Sequence, residues 1–149
     1  MGMARIMRRA ILTLLGAALL AQPAFAEIAR VKRSLGSAMV ERSGNRLTPT
    51  PGFLLQSGDT LVTGKDGQMS LTFIDDTRFS VGPNSRISVD KFDYNARSQT
   101  GEFVTRVNRG SLAVVSGQIA RSKQDAMKVR TPTSLLGVRG TRFIVEIPK

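Results

Sequence analysis

Residues 58–89, GDTLVTGKDGQMSLTFIDDTRFSVGPNSRISV, alternate apolar and polar positions in short runs, and turn residues interrupt the alternation at close, regular intervals. A period of two marks a strand with one buried face. Within residues 68–74, Met69, Leu71 and Phe73 share one face while Gln68, Ser70 and Thr72 share the other. Asp75-Asp76 then reads as a tight two-residue turn, and Phe79 and Val81 resume the pattern. Gly82-Pro83-Asn84-Ser85 turns the chain again before Ile87 and Val89. Three such strands bury a face but reveal no chemistry, so function must be sought elsewhere in the chain.

The flanking sequence extends the same architecture. Residues 38–42 read as a strand, Ser43-Gly44-Asn45 as a turn and residues 46–48 as the returning strand of a hairpin. Pro49, Pro51 and Gly52 break the pattern, since proline has no N–H for a ladder. Residues 27–37 suit a short extended arm or one helical turn. Residues 90–100 read as a long polar loop whose Phe92 and Tyr94 cover an edge of the core. Residues 102–107 form a strand, Asn108-Arg109-Gly110 a turn and residues 111–115 the next strand, whereas residues 119–126 are polar and undecided. Met127 and Val129 open a further strand that Pro132 ends, and Phe143, Val145 and Ile147 alternate in the closing segment. No stretch is long and helically periodic. The expected class is all-β, a single domain built as a compact roll, sandwich or short solenoid of many short strands.

The N-terminus is expected to be absent from the mature chain. Arg5, Arg8 and Arg9 precede the apolar run of residues 10–21, and Ala24-Phe25-Ala26 supplies the small residues of a cleavage site. This is the pattern of a secretory signal peptide over residues 1–26, cut between Ala26 and Glu27. The apolar run is short for a membrane span, and no transmembrane segment is expected after processing. The 149-residue chain has no cysteine, which removes a disulfide framework and a lipid-modified cysteine. Core burial must then supply the stability of an exported domain.

Twenty-two Lys and Arg stand against eleven Asp and Glu; losing three arginines with residues 1–26 leaves a net 19 − 11 = +8 for residues 27–149. Such charge suits anionic partners, among them anionic lipid or lipopolysaccharide. The arginines are scattered singly along alternating strands, which points to solvated surface and favours a protein partner over an anionic polymer. One tyrosine and no tryptophan leave little for base stacking, so no nucleic-acid partner is expected.

Catalysis has little to draw on. The absence of His and Cys removes the common general base, the thiolate nucleophile and most zinc sites. Asp75 and Asp76 with Asp90 or Asp93 have oxygen ligands for calcium but no EF-hand or repeat spacing, and read as turn residues. Gly137-Val138-Arg139-Gly140-Thr141 has the glycines of a phosphate loop without its lysine or its helix. It reads as a tight turn or bulge, with Arg139 paired to a carboxylate such as Asp75. No catalytic, cofactor or metal site is expected, and the chain is expected not to be an enzyme.

Two blocks go beyond generic strand patterning. The first runs from Gly58, Asp59, Thr63 and Gly64 through Asp75 to Gly82, Pro83, Ser85 and Ile87. The second joins Gly110-Ser111-Leu112 and Gly117 to Thr131-Pro132-Thr133 and Gly137-Val138-Arg139-Gly140-Thr141-x-Phe143. Together they resemble the FecR-like domain, named for the ferric-citrate uptake regulator of Gram-negative bacteria. The resemblance covers residues 27–149, with its best-matched core at 58–145. It implies a compact all-β periplasmic domain with a binding or sensing role, an envelope protein as partner and no catalytic residues to carry over. FecR proteins regulate an extracytoplasmic-function sigma factor through a cytoplasmic segment and a membrane span. This chain is expected to correspond to the sensor half alone. Where the family usually has Asp-Gly, this chain has Asp75-Asp76, which puts an L-residue where positive φ is expected.

The cleavage reading predicts that intact-mass analysis of the exported protein finds Glu27 at the N-terminus. A mature envelope form that retains Met1 would exclude it.

Overall fold

The computed structural model describes residues 25–140 and 142–148. Residues 1–24, which carry most of the expected signal peptide, and Thr141 lie outside that description.

The elements follow in chain order. They are β1 (Ala29–Leu35), β2 (Ala38–Arg42), β3 (Asn45–Leu47), β4 (Leu54–Leu55), β5 (Thr60–Thr63), β6 (Gln68–Phe73), β7 (Arg78–Val81), β8 (Arg86–Asn95), β9 (Thr100–Val115), α1 (Gln118–Ser122), β10 (Met127–Arg130), β11 (Leu135–Val138) and β12 (Arg142–Ile147). The fold is all-β, as the alternation requires. Hydrogen bonding links the strands in the order β3-β2-β5-β8-β9-β7-β6-β1-β4, with β10 and β12 also on β9 and β11 on β10.

One strand organises this path. The 16 residues of β9 pair with β8 and β10 over residues 100–109, and with β7 and β12 over residues 110–115. Phe103, Thr105 and Val107 are buried before the changeover, and Leu112 and Val114 after it. That odd separation means one residue is inserted: where β8 steps from Arg86 to Ile87 its partners step from Arg109 to Val107, which leaves Asn108 extra, and Gly110 follows at φ +82°. Ser85 packs where a side chain at 110 would stand. Asn108-Arg109-Gly110 is therefore a bend within one strand and not the expected turn between two.

The two halves of the sheet face each other across an aromatic cluster. Phe73 of β6 lies 4.7 Å from Phe79 of β7, 5.4 Å from Phe92 of β8 and 4.7 Å from Phe103 of β9, measured between ring centroids. Rings at this spacing add stabilisation beyond their buried area. Leu55, Leu61, Leu71, Ile87, Leu112, Ile119 and Met127 complete the interior.

Several local expectations are corrected. Residues 90–95 are strand and not loop, because β8 continues to Asn95. A bulge between Val89 and Lys91 shifts the alternation, so Val89 and Phe92 both point inward while Asp90 and Lys91 both face solvent. Residues 29–35 form β1 rather than an arm or helical turn, held between β6 and β4. β7 and β8 do not pair; the chain crosses between the halves at residues 82–85. Residues 118–122 make the one helix among the described residues, which bury Ile119 and Ala120. That helix carries the chain back so that β10 runs parallel to the start of β9.

The β2–β3 hairpin turns on two residues, Ser43 and Gly44, both at positive φ, one fewer than expected, because Asn45 already pairs with Arg42 and the return strand ends at Leu47. The β6–β7 connection is longer than expected. Asp76 N–H donates to the Phe73 carbonyl and Phe73 N–H to the Thr77 carbonyl, which makes a three-residue loop of residues 74–76. Only Asp76 takes positive φ there, at +69°. Replacing Asp76 with Gly is expected to raise stability by up to about 1 kcal/mol, by removing the steric cost of that angle. Thermal melts check it; a lower melting temperature would show that the 3.5 Å contact of Asp76 with the Gln118 amide outweighs the backbone cost.

Candidate functional site

The residues singled out from the sequence fall into three buried polar knots and one exposed margin. The first knot closes the β6–β7 loop. Asp75 is fully buried, and its Oδ1 accepts the Thr77 N–H at 3.0 Å. Its Oδ2 accepts the Thr77 hydroxyl at 2.8 Å and the Ile119 N–H at 3.3 Å. The Asp75 carbonyl takes the Gln118 N–H at 2.7 Å, and the Thr77 hydroxyl oxygen takes the Gly117 N–H at 3.0 Å. Thus the first two orphan donors of α1, the N–H groups of Gln118 and Ile119, are satisfied by a loop distant in sequence. Gly117 itself gives no side-chain cap. A side chain there would run into the Asp75 carbonyl and the Thr77 amide. The carboxylate of Asp75 is thus occupied by these donors, while Arg139 is exposed on the link to β12; the expected Arg139–Asp75 pair is not formed.

A second knot binds residues 82–85 to β5 and to the bend of β9. The buried Thr63 hydroxyl donates to the Gly82 carbonyl at 2.6 Å and accepts the Ser85 N–H at 3.0 Å. The Ser85 hydroxyl oxygen accepts the Ser111 N–H at 3.0 Å, next to Gly110, and its proton is placed toward the Pro83 and Ser111 carbonyls. Gly64 joins through its N–H to the Ser37 carbonyl and its carbonyl to the Asn84 N–H.

In the third knot Asp59, 1% exposed, receives Arg42 in bidentate fashion at 2.8 and 2.7 Å and the Gln56 N–H at 2.9 Å. Gly58, at φ +92°, turns the chain into it. Donation to the Asp59 carboxylate holds the Arg42 guanidinium above its ordinary pKa against the opposing effect of burial. Arg42 also donates to the Leu54 carbonyl and stacks over the Phe53 ring. Among the described residues no buried side-chain polar atom lacks a partner.

The remaining motif residues lie together at the margin formed by β11 and β12. Thr131 closes the β10–β11 turn, its hydroxyl oxygen accepting the Ser134 N–H at 3.0 Å, with Pro132 exposed beside it. Gly137 lies on β11, Arg139 and Gly140 (φ +54°) link it to β12, and Phe143 is half-buried on β12. Among the described residues both strands are sheet edges: β11 pairs only with β10, and β12 only with β9. Leu135 is 56% exposed, Leu136 46% and Ile144 70%. Between the strands lies an open groove of about 520 Å³ that Leu136, Ile144, Val145, Ile147 and the Pro132 turn line.

Of the four aspartates with calcium-type oxygens, Asp75 and Asp76 sit in the β6–β7 loop and Asp90 and Asp93 on β8, where Arg106 stands 2.9 Å from Asp90. Among the described residues no helix is long and apolar enough to cross a membrane.

A family model for the FecR protein matches residues 59–149, more than half of the chain. The chain belongs to the FecR family. Comparison with curated proteins finds no match, and comparison with solved structures finds none. The FecR family is a regulatory signalling family of the cell envelope and not an enzyme family. The FecR match contains the whole first knot, the Thr63, Gly82, Ser85 and Ser111 bonds of the second and both edge strands, whereas Arg42 and Gln56, the partners of Asp59 in the third, precede it. The strands β1 to β4 precede it, yet supply the buried Ala29, Val31, Val40 and Leu55 to the same core.

Two partners of the motif residues escape a reading of the sequence, Thr77 and Arg42; the Asp75-x-Thr77 spacing is the local signal for the first, and Arg42 is joined to Asp59 only by the fold, as Ser111 of the second block is to Ser85. The exposed edge was partly legible, since Ile144 breaks the alternation of Phe143, Val145 and Ile147 and puts an apolar side chain on the outer face.

Replacing Asp75 with Asn puts an N–H₂ where Oδ2 now accepts two donors, or, if flipped, leaves the Thr77 amide facing a donor. The expected loss is about 1–3 kcal/mol, the cost of an unsatisfied buried group. Denaturant unfolding measures it; unchanged stability would mean that the carboxylate does not hold the loop to α1.

Proposed function

We propose that residues 27–149 act as an exported, non-enzymatic FecR domain in the periplasm, binding an envelope protein through the open edge of β12. The motif residues at the knots serve this function by shaping the scaffold, and those at the margin present the edge. The observation that carries the reading is the exposed backbone and apolar surface at β12.

The direction of that backbone follows from the register. The Ser111 carbonyl accepts the Gly82 N–H, so residues 111, 113 and 115 of β9 face β7, and residues 112 and 114 face β12. Their partners Val145 and Phe143 use their backbone groups on β9. Arg142, Ile144 and Glu146 consequently direct theirs to the open side. An extended segment of a partner can continue the sheet there, with Ile144 and the groove beside Leu136 taking its side chains.

A pull-down from the envelope fraction supplies the partner, and two measurements test the mode. Affinity is expected to persist as salt rises from about 0.1 M to about 1 M, where the screening length falls from about 10 Å to about 3 Å. It is expected to be lost in Ile144→Pro, which removes an outward N–H without removing a bond to β9. Circular dichroism must first show that this variant folds. Binding that collapses with salt, or that a folded Ile144→Pro retains, excludes the edge.

A further inference from the structure

The two halves of the sheet do not end together. β8 and β7 follow one another along one side of β9, and β10 and β12 follow one another along the other. Among the described residues, the half that contains β10 continues to β11, whereas the half that contains β12 stops there. Because the halves face each other across the core, β11 lies beneath a position that no described strand fills.

Register shows which side chains face that position. Val129 pairs with Leu136 and Met127 with Val138, and residues directly opposite one another project from the same face. Val129 and Met127 are fully buried, so Leu136 and Val138 point inward while Leu135 and Gly137 point outward. Leu136 is nevertheless 46% exposed, a core-facing leucine without the strand that would cover it. The groove of about 520 Å³ occupies this place, with Leu136 as its floor and Val145 and Ile147 along its wall. Neighbouring strands stand about 4.8 Å apart, facing sheets about 10 Å apart, and an extended chain advances about 3.3 Å per residue, so the volume suits about three residues of one strand.

We propose that this groove is a slot one strand wide, which admits a single extended segment with a large apolar side chain seated on Leu136 and excludes a sheet that carries a packed second layer, such as a second copy of this chain. The inference rests on the reading of β12 as a pairing edge and specifies what can pair with it. A segment in the slot bonds to the outward backbone groups of Arg142, Ile144 and Glu146. By alternation it directs every second side chain down toward Leu136 and the others to solvent beside Ile144. Leu136 thereby determines specificity. A second copy fails on geometry. Pairing β12 with β12 of another copy would set the two β11 strands on the same side of the joint, each reaching past it into the space of the other copy's β10.

The test uses the exported protein with phage-displayed random linear peptides as the probe, and titration calorimetry for the peptides selected. These are expected to carry large apolar residues at alternate positions. Leu136→Ala removes the apolar seat and is expected to weaken binding about tenfold, as the loss of that burial implies. Leu136→Met, which keeps such a seat, is expected to bind nearly as the unchanged protein does. Leu135→Ala, one residue away on the outer face of the same strand, is expected to change nothing, and folded Ile144→Pro to abolish binding. Peptides that depend on Ile144 but bind Leu136→Ala undiminished overturn the slot and leave the edge standing. An equal loss in Leu135→Ala does the same, as does a dimer in sedimentation equilibrium that Ile144→Pro dissociates. If no selected peptide is weakened by Ile144→Pro, slot and edge are both overturned.

Discussion

A strand that must serve two halves of a sheet can do so only if it bends, and in this chain the bend rests on Gly110. With φ at +82° and Ser85 pressed against the position of a side chain, no other residue meets both conditions without strain. On one side of this point β9 hydrogen-bonds to β8 and β10, and on the other to β7 and β12. The halves are thereby folded toward each other, which brings Phe73 and Phe79 of one against Phe92 and Phe103 of the other. The hydroxyl of Ser85 then fastens the bend by receiving the N–H of Ser111.

Much of this was legible where a strand obeys its alternation without interruption. Residues 68–73, 78–81 and 142–147 declare their inner faces in the sequence. The reading failed where a residue is inserted. The bulge after Val89 made Phe92 and Tyr94 look like a decorated loop, and Gly110 made one long strand look like two. Such insertions shift the period, and the sequence around them resembles turns because glycine and polar residues serve both purposes. The helix of residues 118–122 is too short to display a period and is fixed by tertiary contacts, chiefly the carboxylate of Asp75.

The candidate site divides in the same way. Asp59, Thr63, Asp75, Ser85 and Gly117 stood out through the family resemblance, but their duties depend on partners that are remote in sequence. Arg42 lies 17 residues from Asp59, and Gly117 lies 40 from Thr77. Only the fold reveals that these polar residues are interior fastenings. They matter more in a chain without cysteine, where no covalent link joins the strands. The apolar margin at Leu135 and Leu136 was hidden for the opposite reason: an exposed leucine reads as a core residue until the strand is known to be an edge.

The position of β12 in the chain sets an order of events. β9 emerges during synthesis before two of its four neighbours, β10 and β12, and β12 is the last strand to follow. Until residue 147 is free, the outer side of the second half of β9 presents the unpaired backbone that β12 will later cover. A premature encounter with another extended chain would therefore meet a different edge from the mature one, an edge bearing Leu112 and Val114 amides in place of those of Ile144. Pairing of residues 142–147 with β9 is what covers that vulnerable template.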